Sequence, residues 1–250
     1  MKHLYKFLFV LLVIGLQTNI CLSQITFQKQ YSQPDSASSF ESFDAKATPD
    51  GGYVMAGLAS EGANAQLFHP YIVKVNCKGE LLWQHYFGNS QSISNVNGKV
   101  IITHDSGYVM INNLGVYNNY NGFAVRLDKN GSIVWQKLLN LSNGNDNIND
   151  IQETSDGSFI LSGSVKSTPD VGLIKLSANG DLIWCKTFGN NGQYDDGTAL
   201  IETNDGGYLV TGRYISMGTF NAFLMKTDSS GAMQWLKCYG DTNQHMWGFD

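Results

Sequence analysis

Charge is scarce in this chain: Asp, Glu, Lys and Arg together make up 15% of 250 residues, against roughly 25% in an average soluble domain. The shortage is sharper on the basic side, with 16 Lys and Arg against 21 Asp and Glu. An acidic surface of this kind argues against nucleic acid and anionic membrane as partners, since both require basic patches. Cysteine is scarce too, at four residues with no CxxC pair, which excludes a zinc ribbon and a dense disulfide framework. No GxSxG, HExxH or phosphate-binding loop occurs. No repeat unit holds an uninterrupted helix-length stretch of 3.6-residue apolar period, so a helical solenoid is excluded.

Long apolar runs are missing except for Phe7–Leu16, which follows the basic leader MKHLYK. Ten residues are too few to span a bilayer, so no transmembrane span is expected. Residues 1–23 read instead as a secretory signal peptide, cleaved near Ser23–Gln24, which implies a secreted or outer-surface protein. A lipid-modified Cys21 is the weaker reading, because Asn19 and Ile20 stand where such signals carry small residues. Losing Lys2 and Lys6 takes the formal charge from −5 to −7. Cys77, Cys185 and Cys238 remain and read as separate buried or turn cysteines.

What is present is a repeat. The phrase DGGYVMAG at Asp50 returns as DSGYVMIN at Asp105, DGSFILSG at Asp156 and DGGYLVTG at Asp205, at intervals of 55, 51 and 49 residues. A second phrase ends in Trp83, Trp135, Trp184 and Trp235, which stand 52, 49 and 51 residues apart. Four units of about fifty residues match the period of propeller blades. Within one unit, TALIET, the turn NDGG, YLVTG, a variable loop, AFLMKT, the turn DSSG and AMQWLKCYG spell four short strands. The fold class is therefore all-β, a propeller of four-stranded blades. A repeat domain over 24–250 divides into units at about 41–90, 91–142, 143–192 and 193–242. Residues 25–31 align with a fourth strand and place Phe27 at the Trp position, and 243–250 match the start of a further blade. An open arc with an unpaired strand at each end is expected.

The paired phrases, DGGY…G and then K(V/L)…(N/S)G…W, resemble secreted bacterial β-propeller repeats of the SBBP type. The G-x-x-x-W end of each unit is similar to the tryptophan-docking motif of quinoprotein propellers. The resemblance spans about residues 25–250 and implies a propeller fold. It further implies export through secretion machinery, since similar repeats often precede a type IX sorting domain, of which this sequence holds none.

Length variation points to where binding would occur. Each unit has fixed spacings within its two phrases, while the gap from the end of strand 2 to the basic residue of strand 3 runs 17, 14, 12 and 14 residues. Variable loops on a rigid scaffold are the usual place for ligand contacts. Phe68, His69, Tyr117, Tyr120, Tyr214 and Phe220 fall in or beside these loops, among amide side chains suited to carbohydrate or extracellular protein. The bland alternative is that they cover blade edges.

Other candidates carry less. The four tryptophans stand beside turn glycines, which favours packing between blades over stacking on a quinone or sugar. Lys74, Arg126, Lys175 and Lys226 read as blade-edge residues with their stems on apolar surface, rather than as an anion ring. Asn143–Asp150 lacks the Glu and Gly placement of an EF-hand loop and reads as a connecting turn. Asp195 and Asp196 are neighbours on a strand and should point oppositely, which spoils a paired-carboxylate site. His69, His85, His104 and His245 are scattered without metal-ligand spacing. These residues call for no catalytic group, metal or cofactor. They favour a binding or display scaffold over a quinone-dependent or glycan-cleaving enzyme, or a structural spacer.

Overall fold

The computed structural model describes residues 37–61, 68–88, 93–116, 119–142, 144–165, 170–189, 194–216 and 219–240. The leader at 1–23, the strand at 25–31, Tyr117, His245 and the segment 243–250 lie outside them. Sixteen strands form four antiparallel sheets, each a meander in chain order. The first holds β1 (Ala37–Ala47), β2 (Tyr53–Glu61), β3 (Phe68–Val75) and β4 (Leu81–Tyr86). The second holds β5 (Ile93–Ile102), β6 (Tyr108–Val116), β7 (Asn119–Leu127) and β8 (Ile133–Leu139). The third holds β9 (Asn147–Glu153), β10 (Phe159–Val165), β11 (Asp170–Leu176) and β12 (Leu182–Phe188). The fourth holds β13 (Asp196–Glu202), β14 (Tyr208–Ser216), β15 (Thr219–Thr227) and β16 (Met233–Tyr239).

The first strands of successive sheets pack on one another, β1 on β5, β5 on β9 and β9 on β13. The sheets therefore stand as blades around a shared inner edge, which is a propeller arrangement of four blades. Among the described residues β13 packs on β9 and not on β1, so the ring is open.

Each blade is pinned at its first hairpin by one device. In the first blade the Asp50 carboxylate accepts from the Thr48 hydroxyl and from the Gly52 N–H at 3.0 Å. Gly51 takes a positive φ of 80° to close the turn. Lys74 on β3 then reaches the same carboxylate at 2.9 Å. Arg126–Asp105, Lys175–Asp156 and Lys226–Asp205 repeat the pair at 2.8, 2.9 and 2.9 Å. The expectation that these cations sit at blade edges is corrected: β3 is an interior strand and Lys74 is 1% exposed. A buried ammonium needs a partner, and the turn supplies it. The Thr48 hydroxyl first, and then Lys74, hold Asp50 down at about 2. Asp105, Asp156 and Asp205 are lowered in the same way, each led by the threonine two residues before it.

Apolar clusters fill the three seams between consecutive blades. The first seam joins Val54, Ile72 and Phe87 to Val100, Tyr108 and Val125. The second joins Val109, Ile111 and Ala124 to Ile151, Phe159 and Leu161. The third joins Ile160, Val171 and Leu173 to Leu200, Tyr208 and Phe223. Each seam is closed on its outer side by a tryptophan from the earlier blade. Trp83 lies over Gly131 and edge-on to Tyr108, Trp135 over Gly180 and edge-on to Phe159, and Trp184 over Gly231 and against Tyr208. Those glycines hold positive φ in the turn between strands 3 and 4. A Cβ on Gly131 would come 2.6 Å from the Trp83 ring, so the indole needs that bare backbone.

A bulge in the inner strand explains the glycine that ends the first phrase. The registers of β1, β9 and β13 each slip by one residue, opposite Gly57, Gly163 and Gly212 respectively. The slip drives the carbonyls of Glu41, Asn147 and Asp196 into the space a Cβ would occupy on those glycines. The second blade has Asn112 instead, and there β5 bulges by two residues, from Asn95 opposite Asn113 to Lys99 opposite Ile111. The wider bulge accommodates the larger side chain, which is fully buried.

Candidate binding face

Because each sheet is an antiparallel meander, the ends of the second strands, the beginnings of the third strands and the starts of the inner strands lie at one end of the blade, opposite the Asp hairpins. Phe68 and His69 open β3, the first half-buried and the second buried. Tyr120 on β7 is half-buried, and its N–H donates to Asn145 Oδ1 at 2.9 Å. Tyr214 on β14 and Phe220 on β15 are half-buried in the fourth blade, where their strands pair. Tyr117 lies outside the described residues. These side chains are distributed over three blades, so they form no single cluster.

One cluster on this face escaped sequence reasoning. At the seam of the third and fourth blades, the Arg213 guanidinium lies 5.0 Å over the Tyr194 ring and 5.5 Å over the Phe220 ring. It stands 3.5 Å from the Asp196 carboxylate. Asn149, at the start of β9, donates from Nδ2 to Asp196 Oδ1 at 2.6 Å and to the Gly197 carbonyl at 2.9 Å. The neighbouring Asp195 accepts from the Ile215 N–H at 3.0 Å, within its own blade. The two carboxylates therefore serve different partners, as alternation along a strand requires. Tyr214 adds a phenol pushed up by a hydrogen bond with Cys238 and by burial.

Burial raises Asp196 to about 6, only partly opposed by Arg213 and the Asn149 hydrogen bond. A carboxyl raised above its unfolded value destabilises the fold while charged, so protonation relieves that cost as pH falls from above 6 toward 4. The protein should therefore melt higher at pH 5 than at pH 8, and Asp196→Asn should flatten that difference by raising the pH 8 value. Equal slopes for parent and variant would show that Asp196 is not the group responsible. The lowered hairpin carboxylates act in the opposite direction and lower down, Asp50 losing its contribution as pH drops from about 4 to about 2.

The remaining candidates have structural duties. In the segment 144–150, Asp146 caps Leu141 and Ser142, accepting from their N–H groups at 2.6 and 2.9 Å. Asp150 accepts from the Leu200 N–H at 2.7 Å and pairs with Lys99 at 2.5 Å. His85 Nε2 meets the Gly131 carbonyl at 2.8 Å, and His104 is exposed beside Glu153. Among the described residues no group of three His, Cys, Asp or Glu is placed to hold a metal.

No family model matches this sequence, and no curated protein matches it. Solved structures do resemble the fold. A candidate exo-beta-1,3-galactanase from Bifidobacterium bifidum s17 superposes with a TM-score of 0.51 at 15% identity, over 79% of this chain and 70% of that one. An exo-beta-1,3-galactanase from Phanerochaete chrysosporium, solved with galactose, gives 0.47 at 14% identity, over 78% and 48% of the respective chains. A mannose phosphorylase from Leishmania mexicana gives 0.42 at 12% identity, over 80% and 69%. At these identities the likeness is one of fold, and the chain is similar to the first of them as an all-β propeller arrangement of four-stranded sheets.

Proposed function

We propose that this chain is a secreted repeat scaffold of the SBBP type that binds carbohydrate on the face carrying the strand 2–3 connections. The observation that supports the reading is the seam cluster, where the Tyr194 ring, 36% exposed, stands beside a guanidinium, a carboxyl and an amide. A ring face with fixed polar groups around it is how a sugar's apolar face and hydroxyls are met together. A glycan array on the purified protein, followed by calorimetry, tests the reading. Tyr194→Ala should abolish binding of the array hit without moving the melting temperature. An array with no hit, or a hit indifferent to Tyr194→Ala, would sink it.

A second reading, a glycan-active enzyme, is favoured by the raised Asp196, since a carboxyl near 6 suits a general acid. The exo-beta-1,3-galactanase similarity also motivates it. Hydrolysis needs a second carboxyl about 5–9.5 Å away across a cleft, and Asp195 is directed to Ile215 instead. Release of galactose from β-1,3-linked galactan, lost in Asp196→Asn, would favour the enzyme over the scaffold.

A further inference from the structure

We propose that the outgoing face of the fourth blade is a docking surface for a fifth blade of the same repeat. The three seams already in the molecule show what such a face is built to meet. Val54, Val109 and Ile160 occupy one position on strand 2, and Ile72, Ala124 and Leu173 one position on strand 3. All six are 0% exposed, because the next blade covers them. Their counterparts in the fourth blade, Leu209 and Leu224, are only half-buried, and Ile201 on the inner strand is 54% exposed. Trp235, the counterpart of the three seam tryptophans, is 39% exposed, whereas the other three are half-buried under their glycines.

The residue two places after each tryptophan tells the same story. His85 reaches the Gly131 carbonyl, Lys137 pairs with Asp181 at 2.8 Å, and Lys186 packs at Gly231, each across a seam. Lys237 instead lies 5.6 Å over the ring of its own Trp235. The face thus repeats a surface that meets a specific object three times within this molecule. That object carries a glycine at positive φ in its strand 3–4 turn, an oxygen acceptor beside it, and an aromatic ring opening its second strand. Each following blade of this repeat presents all three, and residues 243–250 match the beginning of one in sequence.

The register fixes the experiment. Asp250 corresponds to Ala199, so a copy of residues 200–240 joined directly after Asp250 completes one more unit. Trp235 emission and its acrylamide quenching are read as the difference from the matching Trp235→Phe protein, in the 250-residue chain and in the lengthened one. Lengthening should shift Trp235 emission to the blue and bring its quenching down to that of Trp184. Trp235→Ala, harmless in the 250-residue chain, should then lower the melting temperature. The same extension with valine in place of the glycine copied from Gly231 should leave Trp235 quenchable. Persistent red emission in the lengthened chain overturns the proposal, whether the added unit folds elsewhere or not at all. Concentration-dependent protection of Trp235 in the 250-residue protein would assign the face to a second copy, and also overturns it.

Discussion

Trp184→Ala should lower stability by about 3 kcal/mol, while Trp235→Ala in the same 250-residue chain should change it by no more than about 0.5 kcal/mol. Large aromatic deletions from cores cost about 3–5 kcal/mol, and the half-buried ring of Trp184 belongs at the lower end of that range. Its indole covers Gly231, approaches Tyr208 at 6.1 Å between centroids, and closes the cluster around Ile160 and Leu173. Removing it would open the third seam to water. Trp235 has the same sequence context but lies 39% exposed, with its own Lys237 over the ring. Exposed substitutions away from special features usually stay within about 0.5 kcal/mol. Urea titrations of the two variants measure both values, and equal losses would contradict the seam geometry.

Gly163→Val should be as damaging, for a reason that has nothing to do with glycine's flexibility. Gly163 carries no positive φ and sits in the middle of β10. The obstacle is the Asn147 carbonyl, which the bulge in β9 drives into the place a Cβ would take. A side-chain neighbour could rotate away, but a carbonyl in an inner strand can move only by shifting that strand. Overpacking typically costs about 1–3 kcal/mol, and a rigid obstacle puts this substitution at or above the upper end. The corresponding exchange in the second blade, Asn112→Val, meets a wider bulge and should cost far less by steric overlap. Melting curves of the pair separate bulge geometry from general intolerance to valine.

How much of this was legible in the sequence follows from how far apart the interacting residues lie. The blades could be read because each seam demands the same tryptophan, the same turn glycine and the same aromatic, and those demands recur about every fifty residues. That a glycine ends three of the four first phrases was readable, but not the carbonyl that Gly163 makes room for, which depends on a one-residue slip in a different strand. The Lys–Asp and Arg–Asp pairs joining the third strand of each blade to its first hairpin were missed. They link positions 24 residues apart in the first blade and 21 in the second, and no local pattern marks two such positions as partners. The Arg213 cluster was hidden for a stronger reason: Tyr194, Asp196 and Arg213 occur together in one unit only, and Asn149 joins them from the preceding blade. Internal comparison finds what repeats and passes over what a single unit does alone.

The seams also determine something about ancestry. Their shared contacts lie at fixed places in the unit, so an in-frame duplication or deletion of one unit inherits both halves of a working junction. A few pairings belong to one junction alone. Lys99 pairs with Asp150, Asn113 accepts from the Ile148 N–H at 2.7 Å, and Asn149 donates to Asp196 Oδ1 at 2.6 Å. Exchange the second and third units, and each of these groups would face a stranger. Common pairings allow such a gene to change its number of units freely, whereas private ones fix their order. Each private pairing that mutation adds makes later shuffling costlier.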